Sequence, residues 1–192
     1  MIVSLNEVEV MATKAANGAG RPWGLAQEAG FATARLEAMG LPGAHCLLRL
    51  LEATDNEVML RGRCPVLEGA HLCDLGGAGL PVSFEAMHQP LLLAPFLMQA
   101  DIAATITWPG CEVDVPADGL TVRGEAASPV APVEVRIQHG AAGAPALRPK
   151  PGAVDIAGEI WEALGRFAHR TYVPATEASR LKGAGAGLTD ND

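Results

Sequence analysis

Apolar residues at Leu5, Val8, Met11, Ala12 and Ala15 recur at the spacing of one helix face, and Ser4, three residues ahead of Glu7, offers a capping box at its start. The pattern predicts a first helix over residues 5–16, closed by the run from Asn17 to Gly20, since glycine accepts the left-handed backbone on which helices end. Pro22 suits a first helical turn because its missing N–H has no partner there. Leu25, Ala29, Ala32, Leu36 and Met39 then form a second stripe that stops at Gly40 and Pro42. Gly43 to Ala53 reads as a third helix. Its Leu47, Leu48, Leu50 and Leu51 cover more than one face, which predicts a helix sandwiched between the first two and the rest of the fold.

Beyond Asn56 the period changes. Glu57 to Arg61 is a weakly alternating candidate strand, Leu75 to Gly79 a flexible connection, and Pro81 to Glu85 alternates as a half-buried strand should. Ile102, Ala104, Ile106 and Trp108 alternate with more polar neighbours, Pro109-Gly110 turns the chain, and Cys111, Val113 and Val115 alternate with Glu112 and Asp114. That is a hairpin. Asp118-Gly119 turns into Leu120 to Val122, and Val133, Val135 and Ile137 alternate after a proline-rich loop, so an antiparallel meander is expected. A glycine- and proline-rich loop runs from His139 to Gly152. A last helix over about 155–169, with Ile156, Ile160, Leu164 and Phe167 on one face, should pack on the sheet.

The fold class predicted is α+β: about three N-terminal helices and a C-terminal helix on a mainly antiparallel sheet. At 192 residues one domain is the expectation, with a helical part over about 1–55, a sheet part over about 56–140, and a tail over 171–192 whose composition suits a mobile end. The stretch from Met87 to Met98 is the most apolar in the chain, and Pro95 prevents it from being one continuous helix. It reads first as core. Failing that, Leu91, Leu92, Leu93, Phe96, Leu97 and Met98 are an exposed patch for a second copy of the chain, and a homo-oligomer would follow.

Composition narrows the partners. A net charge of −8 repels phosphate backbones and anionic headgroups, so neither nucleic acid nor a membrane surface is an expected partner. No apolar run approaches the roughly 20 residues of a membrane-spanning helix. The first residues lack a basic segment followed by an apolar one, so a cytoplasmic location is expected. Much of the 49% apolar content is alanine, which lets helices pack closely. The four cysteines lack a CxxC pair and read as small core residues.

Candidate chemistry is sparse. Gly18, Gly20 and Gly24 superficially resemble a dinucleotide loop, yet they follow a helix where such a loop must follow a strand, and Arg21-Pro22-Trp23 fills the ligand's place. The helix start beside Arg21 remains a candidate for a small carboxylate or phosphate. His45, Cys46, Cys64, His71 and Cys73 match no zinc-knuckle spacing, so no metal is assigned, and no cofactor is indicated. The run from His169 to Arg180 concentrates acid, base and hydroxyl groups, and Tyr172, Glu177 and Ser179 are the candidate catalytic residues. Lys14, Arg21, Trp23, Glu28, Arg170 and Arg180 are the candidate ligand-binding residues, expected to meet at one pocket formed by the turn between the first and second helices and the C-terminal run.

The runs Ser4 to Glu9, Lys14 to Ala16, Gly18 to Gly24 and Ala26 to Gly30, together with Arg170 to Pro174, Ser179-Arg180 and Gly183 to Asp192, resemble a bacterial family of uncharacterised proteins classed as a domain of unknown function. The resemblance implies one full-length domain and transfers no activity. The leading expectation is a non-catalytic, homo-oligomeric small-molecule-binding or accessory protein, with a small anionic ligand as a candidate partner. The alternatives are an enzyme acting on a small anionic metabolite through arginine, tyrosine and glutamate groups, and a structural partner subunit.

Overall fold

The computed structural model describes residues 1–55, 62–116, 118–124, 127–140, 143 and 145–172. Strand β1 (Ile2–Ser4) leads into α1 (Leu5–Gly18), where the capping box forms in both directions: Glu7 N–H donates to Ser4 Oγ at 3.2 Å, and Ser4 N–H donates to Glu7 Oε2 at 2.8 Å. Helices α2 (Trp23–Ala38) and α3 (Gly43–Ala53) follow as the apolar stripes predict. α3 buries Leu47, Leu48, Leu50 and Leu51 and touches both α1 and α2.

The next helix, α4 (Pro65–Leu75), was not foreseen, although its marks are legible. Pro65 stands at its start, Glu68 lies in its first turn, and Gly76 closes it in the left-handed conformation at φ 58°. Glu68 Oε1 accepts the Gly62 N–H at 2.9 Å, tying the approach to the helix. The strand expected at Glu57 to Arg61 lies outside the described residues.

Strands β2 (Val82–Met87), β3 (Ala104–Trp108), β4 (Cys111–Val115), β5 (Thr121–Gly124) and β6 (Val133–His139) form a five-stranded antiparallel sheet in the order β2-β6-β3-β4-β5. The hairpin has the expected register, with Trp108 opposite Cys111 and Ala104 opposite Val115. The meander stops at β5. β6 crosses back to lie between β2 and β3, because the loop before it is anchored on the far side: Gln89 donates its side-chain amide to Pro129 O and accepts the Ser128 hydroxyl, both at 2.7 Å. One sheet face buries Ile106, Val113, Val135 and Ile137, and the other carries Arg123 and Arg136 paired with acids.

Between Met87 and Met98 the chain forms a 3-10 turn (Pro90–Leu93) and a short helix α5 (Ala94–Gln99), with Pro95 placed in the first turn of α5, where it costs no hydrogen bond. Leu91, Leu92, Leu93 and Leu97 are fully buried, Phe96 is 1% exposed and Met98 5%. The stretch is therefore core, as its first reading has it, and these six side chains are not exposed to a second copy. α5 lies directly against β4 and also touches α2 and α4, so it joins the helical layer to the sheet.

The last helix, α6 (Gly158–His169), starts three residues later than its stripe suggests, because Ala153–Asp155 form β7 and pair with β1. A pair of three-residue strands is too short to leave a period. α6 completes the helical layer by packing on α1 and α3. The whole is α+β, as predicted. Among the described residues no helix is long and apolar enough to cross a membrane.

Candidate functional site

α1 and α6 run parallel. At one end the Met1 ammonium donates to Ile156 O at 2.6 Å; at the other, Gly18 lies so close to α6 that an added Cβ would meet Phe167 O at 1.9 Å. Their contact is therefore tight at the Gly18 end, and along the seam between them lies a groove of about 410 Å³, within the range of small-molecule pockets. Val10, Met11, Trp161, Gly165 and Ala168 supply its apolar surface. Lys14, His169 and Tyr172 gather at the C-terminal end of the two helices, with Asn6 and Glu7 at the other end.

The charged end has a defined geometry. Lys14 Nζ stands 5.9 Å from the centroid of the Tyr172 ring, and the His169 ring meets the same tyrosine edge-on at 5.2 Å. Lys14 is half-buried, and among the described residues no carboxylate lies within ion-pair distance of it. The carbonyls that would give this end a negative character are already occupied. Phe167 O accepts Arg170 N–H, Ala168 O accepts the N–H and hydroxyl of Thr171, and His169 O accepts Tyr172 N–H. At the far end the Glu7 carboxylate is engaged by Ser4, whose backbone N–H and then hydroxyl hold it below its ordinary pKa. The groove thus offers a cation at one end, an apolar middle, and an acid committed elsewhere.

Of the residues expected to form one pocket, Lys14 and Tyr172 do share it. Arg21 and Arg170 meet nearby, at the end of α3: Arg21 donates to Thr54 O at 2.9 Å and to its hydroxyl, and Arg170 pairs with Asp55 Oδ1 at 2.6 Å while lying 4.4 Å over the Phe167 ring. Arg21 is only 5% exposed, and this contact fastens the α1–α2 turn to α3. Trp23 is exposed at the start of α2, Glu28 is half-buried on it, and neither lines the groove. Glu177, Ser179 and Arg180 lie outside the described residues. Val10, Met11, Trp161, Gly165 and His169 were not singled out as ligand contacts. The signal for them was a second face on each helix: positions 7, 10, 11 and 14, and positions 161, 165, 168, 169 and 172, repeat at helical spacing beside the core stripe.

Two other hollows suit an anion less. One, of about 370 Å³, lies between the α2–α3 turn and the start of α6 and is lined by Glu37 and Asp155. Asp155 binds the Met1 ammonium, and Glu37 Oε1 accepts Ala44 N–H at 2.8 Å, capping α3. The other, also about 370 Å³, has the exposed cations Arg35 and Lys150 opposed by Glu9. Three of the four cysteines are core residues: Cys46, Cys64 and Cys111 are buried, and burial pushes the Cys46 thiol up to about 12, while Cys73 is half-buried at the edge of the core.

No curated protein and no solved structure matches the chain. The model of a family described as "Protein of unknown function (DUF3726)" does match, over residues 3–76, so α1 to α4 of this chain are similar to an uncharacterised domain family, and the groove's α6 wall lies beyond the matched stretch.

Proposed function

We propose that this chain binds a small, partly apolar anion in the groove between α1 and α6. The observation that carries the reading is Lys14: a half-buried ammonium, held against the Tyr172 ring at the end of an apolar groove, with no described carboxylate in ion-pair reach. An anionic ligand supplies the missing charge, and its apolar body covers Val10, Met11 and Trp161, which water otherwise wets. Tyr172, with the His169 ring edge-on against it, holds the lysine, and both rings border the ligand. The buried cluster extends from Val3 to Ala168 across helices and sheet, which supports treating the chain as one folding unit that presents this groove on its surface. The proposed role is binding, in a protein whose net charge of −8 disfavours polyanions and leaves Lys14 a local exception.

The test is calorimetric titration with phenylacetate and with phenylacetamide, its uncharged counterpart. The parent chain should bind phenylacetate with Kd below about 1 mM and the amide at least about tenfold more weakly, as loss of a charge-assisted contact implies. Lys14→Gln should remove that preference. Equal affinity for the two probes in the parent chain would refute an anion site.

A further inference from the structure

Alanine favours a helix interior more than glycine does, so a glycine there calls for a reason. Where the other described helical glycines lie against a neighbouring element, the reason is contact. A Cβ on Gly30 would sit 2.1 Å from Thr13 Oγ1, one on Gly43 2.4 Å from Thr33 O, and one on Gly69 2.3 Å from the Phe96 ring. Gly24 and Gly158 have open space around them but lie in the first turns of α2 and α6. Gly165 is different: it lies in the middle of α6, and a Cβ there would meet nothing within 4 Å. No packing demands it. What it provides is the space itself, and that space belongs to the groove.

We infer that Gly165 is the specificity-determining residue of the groove, keeping open a slot for a flat aromatic ring whose carboxylate reaches Lys14. The inference rests on the α1–α6 groove being the binding site and names the class of ligand it takes, an aryl carboxylate. Along α6, Trp161 lies one turn before Gly165 and His169 one turn after it, so two aromatic side chains about 12 Å apart along the axis border a gap with no side chain. Met11 and Val10 face the gap from α1. A planar ring fills such a slot and meets aromatic neighbours by edge or by face. Lys14, fixed 5.9 Å above the Tyr172 ring, is then the counter-charge at the slot's end.

The experiment compares the parent chain, Gly165→Ala and Gly165→Leu, each by thermal unfolding without ligand and by titration with phenylacetate and with cyclohexylacetate, a non-planar acid of the same charge. Gly165→Ala should unfold about 2 to 4 °C higher, because it gains helix preference and meets no clash. It should nevertheless bind phenylacetate more weakly than the parent. Gly165→Leu fills the slot and should lose at least about tenfold in affinity; if that variant does not fold, the alanine variant alone decides. The parent should prefer phenylacetate to cyclohexylacetate. Unchanged phenylacetate affinity in the glycine variants, with Lys14→Gln still weakening binding, would overturn the role of Gly165 and leave the groove standing. No binding of either acid to the parent would overturn both. A change of association state on Gly165→Leu, with phenylacetate affinity unaltered, would show that the gap receives a helix from a second copy and would also overturn the inference.

Discussion

Replacing Gly18 with alanine tests the closest approach in the helical layer. The new Cβ would lie 1.9 Å from Phe167 O and 2.8 Å from Phe167 C, whereas real Cβ contacts essentially never fall below 3.0 Å, so α1 and α6 must separate by about 1.1 Å. The atoms met are backbone, which cannot rotate aside, and Phe167 O already accepts the Arg170 N–H at 3.0 Å. Overpacking of this kind costs roughly 1 to 3 kcal/mol. Here the upper part of that range applies, less the fraction of a kcal/mol that alanine returns at a helix end. A net loss of about 2 kcal/mol corresponds to about 4 to 8 °C in the unfolding midpoint of a chain this size. The assay is thermal unfolding followed by circular dichroism, with reversibility checked by rescanning. Since the same Gly-to-Ala change at Gly165 is expected to stabilise, the pair has opposite signs on the two facing helices. A Gly18→Ala protein as stable as the parent would refute the packing described for α1 and α6.

Arg21→Ala should lower stability by about 1 to 3 kcal/mol, because it removes a buried side chain and leaves the part-buried Thr54 carbonyl without its charged donor, yet phenylacetate affinity below the unfolding range should not change; a parallel loss of affinity would place Arg21 in the site. Burial raises the Glu37 pKa above 4.5 against the lowering effect of the Ala44 and Gly43 N–H groups. A carboxyl that ionises less readily folded than unfolded contributes stability below about pH 4.5 that is lost as pH rises through its raised value. Glu37→Gln keeps an oxygen acceptor for Ala44 N–H and should flatten that decline, measured as unfolding midpoint against pH; an unaltered slope would contradict the assignment. Iodoacetamide at pH 8 should leave Cys46 unmodified in the native protein and label it after denaturation, read by peptide mass; native labelling would contradict its burial.

Segments with a sustained apolar period and clear end signals were readable: α2, α3 and the β3–β4 hairpin follow their patterns within a residue or two. What escaped was set by contacts distant in sequence. β1 and β7 exist only by pairing with each other, 150 residues apart, and the return of β6 depends on Gln89 holding Ser128 and Pro129. α4 escaped although Pro65, Glu68 and Gly76 mark its ends, because its glycine at 69 interrupts the apolar stripe to admit the Phe96 ring. For the site, Lys14 and Tyr172 were singled out as polar residues in an alanine-rich chain, and they do meet. Arg21 looked the same in sequence, but its burial against Thr54 depends on where α3 ends. Gly165 shared the spacing of the second face of α6, but only the space around it separates an idle glycine from one that shapes a groove.

An aryl carboxylate seated between α1 and α6 with its charge at Lys14 would perturb the backbone amides that border the groove. That placement is tested most directly by following backbone amide resonances of the uniformly labelled protein while phenylacetate is added. The largest shifts should cluster on Val10, Met11, Lys14, Gly165, Ala168 and Tyr172, and Lys14→Gln should abolish them. Shifts centred on Arg35 and Lys150, on Glu37 and His45, or spread evenly over the surface would contradict it.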